Sequence, residues 1–186
     1  MTTEITGTTK KGGVLRELPV LALIALVLAF LLRTFVVEAF WIPSESMVPT
    51  LMRGDRVLVN RFAYDVREPK RGEVVVFAGH GKDLIKRVIG LPGDQVAMRS
   101  GVVYVNGEPL REALAHDGGY LQARDPADFG PVTVAPHHFF MMGDNRTNSD
   151  DSRGTVGQVP ADALIGPAFA VFWPPGDLAT LPAPQY

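Results

Sequence analysis

Two rhythms of apolar residues divide the chain. From Leu18 to Leu32, fifteen residues pass without a charge. Such a run is apolar on every face of a helix, which suits lipid better than a half-exposed surface. A membrane span needs roughly 20 residues, and continuing through Arg33 to Val37 reaches that length. Arg33 then sits near the end, where its head group extends to the interface. Phe40 and Trp41 fall at headgroup depth, where aromatic rings are favoured. Lys10, Lys11 and Arg16 precede the run, and after Arg33 no Lys or Arg follows until Arg53. The positive-inside rule therefore predicts a cytoplasmic N-terminus and residues 40–186 outside. A cleaved leader has the same basic-then-apolar layout. Val37-Glu38-Ala39 makes a poor cleavage site, however, so a single retained anchor over 14–39 is the expectation, behind a disordered cytoplasmic tail over 1–13.

From Arg53 the rhythm shortens to strands between turns. Gly54-Asp55 turns into a strand over 56–60, and Arg71-Gly72 into one over 73–77. A third covers 83–89 and ends at Gly90-Leu91-Pro92-Gly93-Asp94. The strand at 102–105 runs into Asn106-Gly107, a strong hairpin signal. Residues 108–135 lose periodicity and read as an excursion from the core. A buried strand at 139–142, one helical turn starting at Pro160 and a last strand at 169–173 follow. Residues 174–186 are Pro-rich and read as a loose tail. Many short strands with turns between them predict a mainly β fold, a barrel or a sandwich.

Composition narrows the function classes. The net charge of −2 argues against nucleic-acid binding, which normally shows a basic stripe. The absence of cysteine excludes a Cys nucleophile, Cys-ligated zinc and disulfides.

Between Pro43 and Pro49 the chain carries Ser44 and Ser46, two residues apart. Proline fixes its own φ and biases the residue before it, here Ile42 and Val48, toward extended geometry. In an extended segment Ser44 and Ser46 point to one side and Glu45 to the other. The two hydroxyls could serve as a nucleophile and an anion-stabilising donor. On this stretch alone, an ordinary Ser-rich connector is the better reading. Lys86 supplies a second candidate. In its strand Leu84, Lys86 and Val88 share one face, opposite Ile85, Arg87 and Ile89. A surface lysine is the bland reading. A desolvated lysine, its pKa lowered by burial, would accept a proton from a serine. The acidic stretch 144–153 resembles a calcium loop at first sight. Arg146 occupies a position that should supply an oxygen, so no metal is expected there. Asp–Arg pairs bracing the loop, with Ser149 and Ser152 aimed at a neighbour, form the sharper reading. Nothing singles out His80, His116, His137 or His138 for a triad or a metal.

Taken together these stretches resemble the bacterial type I signal peptidases. The boxes PSESMVPTL at 43–51, GDRVLV at 54–59, RGEVVVF at 71–77, KRVIGLPGD at 86–94 and GDNRTNSDDSR at 143–153 stand in that family's order behind its anchor. Any one box is weak, but the ordered set is specific. The resemblance implies a β-rich, barrel-like catalytic core over 40–173 with a small inserted β-domain at about 98–135, preceded by one transmembrane helix. It implies Ser46 as nucleophile and Lys86 as general base, with Ser44 beside the Ser46 N–H in the oxyanion hole. Ser149 would orient Lys86. Asp144, Arg146, Asp151 and Arg153 would brace the site. Phe40, Ile42, Pro43, Met47, Leu51 and Ile85 match positions lining shallow apolar pockets that accept Ala-sized side chains. Glu45 replaces a glycine of some relatives and should point away from the hydroxyls. Lys86 marks a bacterial-type enzyme, because the eukaryotic secretory branch carries His at that place. The implied activity is removal of N-terminal signal peptides from exported pre-proteins, at the outer face of the bacterial cytoplasmic membrane. No cofactor or metal is implied, and a monomer with pre-proteins and the lipid bilayer as partners is expected. The alternatives are a Ser–Lys peptidase that cuts itself or one dedicated partner, and an inactive membrane-tethered domain that only binds extended peptides.

Overall fold

The change of rhythm in the sequence marks a change from helix to sheet. The computed structural model describes residues 14–79, 81–113 and 118–181. The expected tail at 1–13, His80, His116 and the last five residues lie outside them. The chain enters as helix α1 (Val14–Phe35) and passes at once into β1 (Val37–Trp41). β2 (Arg56–Asn60), the short helix α2 (Ala63–Val66), β3 (Val74–Gly79) and β4 (Lys82–Gly90) follow. Next come β5 (Gln95–Arg99), β6 (Val102–Val105), β7 (Glu108–Pro109) and β8 (Phe129–Thr133). β9 (His138–Met142), β10 (Val159–Pro160), β11 (Leu164–Trp173) and β12 (Ala179–Thr180) complete the chain. The helical turn expected at Pro160 is a short 3₁₀ turn, Ala161–Ala163.

Two boundaries differ from the sequence reading. The helix ends at Phe35, and residues 37–41 pair with β2 from Val37 opposite Asn60 to Trp41 opposite Arg56. Val-Val-Glu-Ala-Phe-Trp continues the apolar run, so hydropathy hides the switch. Its β-branched and aromatic residues nevertheless suit a strand. The Pro-rich stretch is also not loose throughout, because β12 pairs with β11. In α1 the described side chains span 17–27, and those from Leu18 to Val27 are exposed. Among the described residues no helix is long and apolar enough to cross a membrane.

The core is an eight-stranded sheet in the order β1-β2-β11-β3-β4-β9-β10, with β12 beside β11. The core is β-rich, as the resemblance implies, but its barrel-like form does not close. Closure would require β1 to pair with β10. β10 is only two residues long and one of them, Pro160, has no N–H to give. β11 instead bends the sheet by pairing with β2 through one half and β3 through the other, with register shifts at both contacts. A second sheet, β7-β6-β5-β8, is built from residues 95–133. Asn106 and Gly107 both have positive φ and close the β6–β7 hairpin, as their sequence signals.

β9 is the wall shared by the two sheets. Phe139 and Met141 pack with Val75, Phe77 and Val88. Phe140 and Met142 point the other way, to Val96, Met98, Val103 and Val105 of the second sheet. The run Phe-Phe-Met-Met is apolar throughout because both faces are covered. A third cluster, with Ile42, Met47, Leu51, Val57, Val59 and Ile85, fills the space beneath the Pro43–Pro49 segment.

Candidate active site

The Pro43–Pro49 segment is not extended, as its prolines suggest, but turned. The Val48 N–H donates to the Glu45 carbonyl at 3.1 Å, and the Leu51 N–H to that of Met47 at 2.9 Å. The turn still brings the two hydroxyls together, with Ser44 Oγ 3.3 Å from Ser46 Oγ. Ser44 is exposed and Ser46 buried. The Ser46 N–H finds no acceptor among the described residues, while the Ser46 carbonyl takes a hydrogen bond from the Asn145 N–H at 3.0 Å. Main chain on both sides thus fixes the serine and leaves its amide open to a ligand.

Lys86 reaches the same point from the middle of β4. Alternation sends Ile85 into the cluster beneath the serines and Lys86 to the other side of the strand. Lys86 is only 4% exposed, and its Nζ donates to Ser46 Oγ at 2.6 Å. Burial lowers its pKa from the ordinary lysine value to about 8. The Asp151, Asp150 and Asp144 charges work against that shift, and Lys82 works with it. When neutral, the amine offers a lone pair to the Ser46 proton across the same contact. Serine and lysine, forty positions apart in sequence, form one hydrogen-bonded pair.

The bracing is organised differently from the sequence reading. Asp151 does pair with Arg153, through two contacts of 2.9 Å, and also accepts the Gly143 N–H at 3.0 Å. Burial alone would raise the Asp151 pKa, but the Arg153 hydrogen bond and charge, with the amide donors, hold it below the usual carboxylate value. Asp144 turns away from Arg146. It takes Arg87 Nε at 2.8 Å and Arg87 Nη2 at 2.6 Å, and also the Thr50 hydroxyl. Arg146 pairs instead with Glu112. Ser152 Oγ accepts the Met141 N–H at 2.8 Å. The Ser149 hydroxyl is buried and makes no hydrogen bond, to Lys86 or to any other described residue.

The pair opens into a cleft of about 750 Å³. Pro43, Leu84 and Val156 give it apolar walls, while Arg53, Lys82 and Asp150 give it charge. Asp150 is held by the backbone and hydroxyl of Thr155, which lower its pKa. Ile42, Met47, Leu51 and Ile85 lie in the core beneath the serines, and Phe40 packs half-buried against them.

Sequence reasoning missed four contributors. Arg87 appeared only as a charged neighbour of Lys86, although a charge at an alternating position of a buried strand signals a buried ion pair. Thr50, Glu112 and Tyr120 left no signal, because each meets its partner only through the tertiary fold.

Residues 15–173 match the family described as signal peptidase, peptidase S26. The probable signal peptidase I-2 of Synechocystis sp. is 46% identical over 158 residues, 81% of this chain and 69% of that one. The signal peptidase I of Leptolyngbya laminosa is 41% identical over 174 residues, covering 88% of this chain and 82% of its own. A signal peptidase I P of Bacillus subtilis subsp. natto is 40% identical over 161 residues, 82% and 85% of the two chains. Among solved structures, a signal peptidase I from Enterococcus faecalis V583 aligns with a TM-score of 0.46 at 30% identity, covering 55% of this chain and 97% of that one.

Proposed function

Because the chain belongs to the signal peptidase family, peptidase S26, we propose that it is a serine endopeptidase that removes signal peptides through a Ser46–Lys86 dyad. The observation that carries this reading is the 2.6 Å contact between the Lys86 amine and the Ser46 hydroxyl, both buried. No other described pair joins a nucleophile to a base whose pKa is lowered toward neutrality.

The substrate binds as an added strand. β4 pairs with β3 along Lys82–Arg87, but on its other side β9 pairs only from Arg87 to Gly90. The free edge of β4 before Arg87 borders the cleft, so an extended peptide lies along it with its scissile carbonyl at Ser46. Of the residues matched to the substrate pockets only Pro43 lines the cleft. Ile42, Met47, Leu51 and Ile85 are core beneath it, and Phe40 borders a separate cavity with Trp41 and Phe172. In this reading the core leaves little depth below the serines. That favours a small side chain just before the cut. Neutral Lys86 takes the Ser46 proton as Oγ bonds to the carbonyl carbon. The oxyanion is held by the Ser44 hydroxyl and the Ser46 N–H. Collapse breaks the C–N bond, and Lys86 returns its proton to the leaving amine. Water, deprotonated by Lys86, then hydrolyses the ester. In this reading the Ser149 hydroxyl, buried and without a hydrogen-bond partner among the described residues, orients the Lys86 amine during the reaction.

The test is cleavage of a purified pre-protein by the chain in detergent, with the cut located by mass spectrometry. A serine-acylating probe should label Ser46 and block cleavage. Ser44→Ala should lower kcat by about 100-fold, the usual cost of one oxyanion donor. Labelling elsewhere, or binding of the pre-protein without cleavage, would sink the proposal.

The apolar helix sets the location. Its described large apolar side chains are exposed, from 49% at Ile24 and Val27 to 68% at Leu26. They call for an apolar surrounding that the described residues do not provide. We place the apolar part of α1, from Leu18 to Phe35, in the cytoplasmic membrane as a single span, with the N-terminus inside and residues 40–186 outside. Protease added to intact spheroplasts should then degrade the domain, and full protection would reverse the topology.

A further inference from the structure

The second sheet does more than pack against β9. The segment between β7 and β8 leaves that sheet and runs along the loop that follows β9. Leu121 bridges to Pro49 beside the serines, and Ala123 bridges to Asn145. The Gln122 N–H donates to the Asp144 carbonyl at 3.2 Å. Two carboxylates of this segment meet the two arginines of the loop. Glu112, 5% exposed, grips the Arg146 guanidinium through both oxygens, and the Tyr120 hydroxyl donates to it at 2.6 Å. Asp125 takes Arg153 Nη1 at 2.9 Å.

Each arginine passes the restraint toward the nucleophile. Arg146 Nε donates to the Gly143 carbonyl at 3.0 Å, and Arg153 Nη2 donates to the Arg146 carbonyl at 2.8 Å. Arg153 also holds Asp151, which accepts the Gly143 N–H. The same loop carries the Asn145 N–H that binds the Ser46 carbonyl, and the Asn145 side chain that donates to the Glu45 carbonyl at 3.2 Å. The main chain of the nucleophile is therefore held by a loop that is itself held by the segment between β7 and β8.

We propose that Glu112 and Asp125 are positioning residues, which reach across from the segment between β7 and β8 to clamp the 143–153 loop through Arg146 and Arg153 and so fix Ser46 against Lys86. The role rests on the dyad reading above. Neither carboxylate touches the reacting atoms, so their loss acts on alignment. A shift of an ångström in a reacting group costs about 100-fold in rate. The signature is a fall in kcat with KM nearly retained, because the free edge of β4 and the Pro43 and Leu84 walls lie outside the clamped loop, which lends the cleft only Asn148 and Asp150.

The experiment measures kcat and KM for pre-protein cleavage by wild type, Glu112→Gln, Asp125→Asn and Ser46→Ala, below the melting temperature of each. Glu112→Gln should lower kcat by about 30-fold with KM within about twofold, and Glu112→Asp should recover part of the loss. Asp125 is partly exposed, and Asp125→Asn should cost about fivefold in kcat with the same split. Wild-type kcat in the folded variants, or a loss confined to KM, overturns the positioning role. If Glu112→Gln does not fold, Asp125→Asn decides by the same two readings. Ser46→Ala separates this claim from the one beneath it. Cleavage surviving in Ser46→Ala overturns the dyad and the clamp together. Inactive Ser46→Ala beside fully active clamp variants overturns the clamp alone.

Discussion

Replacing Lys86 with methionine is expected to abolish cleavage and to make the domain more stable. The two effects share one cause. Lys86 is 4% exposed, and its amine is held at about pKa 8 because burial disfavours the cation. Methionine keeps the length and the packing of the stem but removes the proton acceptor. Without it, Ser46 keeps its proton and kcat should fall by at least about 10³-fold. The stability effect follows from linkage. The folded pKa lies below that of the unfolded chain, so between about pH 8 and 10.5 the unfolded state binds more protons. Stability of the wild type therefore rises with pH through that window, and below it the fold carries the full cost of a buried cation. A depression of this size corresponds to roughly 3 kcal/mol. At pH 7 the methionine variant should gain about 1–3 kcal/mol, a few degrees in Tm, and should lose the rise between pH 8 and 10.5. In the wild type kcat/KM should climb as pH rises through about 8, the pKa of the free base. A flat pH profile, or a variant no more stable than wild type at pH 7, would contradict the desolvated-amine account. Thermal melts across pH and initial rates of pre-protein cleavage measure both.

The Ser46–Lys86 pair was legible because its residues fall in short boxes whose order survives without the fold. Ser46 stands between two prolines, and Lys86 stands on a strand whose alternation already turns it away from Ile85. The partners of the bracing charges were not legible. Asp144, Arg146, Asp151 and Arg153 lie within ten residues, so local pairing is the natural reading. Only Asp151 and Arg153 follow it. The others satisfy the rule that buried charges need partners by reaching 57 positions back to Arg87 and 34 back to Glu112. Glu112 sits in a stretch without periodicity, where no pattern separates a buried carboxylate from a solvated one. Fold class showed the same division. Strands whose alternation is clean, such as β2, fall at the expected residues. β1 was hidden in a continuous apolar run, and the failure of the sheet to close depends on a two-residue edge strand that carries no sequence signal.

Gly143→Ala should cost about 10³-fold in kcat. Gly143 does not have a positive φ, so its backbone conformation is open to alanine and the requirement is for space. A Cβ at this position would meet the Ser149 hydroxyl and the Ser46 carbonyl, both well inside the 3.0 Å that real Cβ atoms keep. The hydroxyl could rotate away, but the carbonyl belongs to main chain held by the Asn145 N–H. The clash therefore moves the nucleophile itself. It also pushes against the Gly143 N–H and carbonyl, which are tied to Asp151 and Arg146. Overpacking of this kind costs about 1–3 kcal/mol of stability, which leaves a folded protein on which rates are measurable. Lys86 keeps its burial and its neighbouring carboxylates, so the pH at which activity rises should stay near 8 while its height collapses. That separates the glycine from the base. If Gly143→Ala retains more than about a tenth of the wild-type kcat, the Ser46 main chain is not held as tightly as these contacts require.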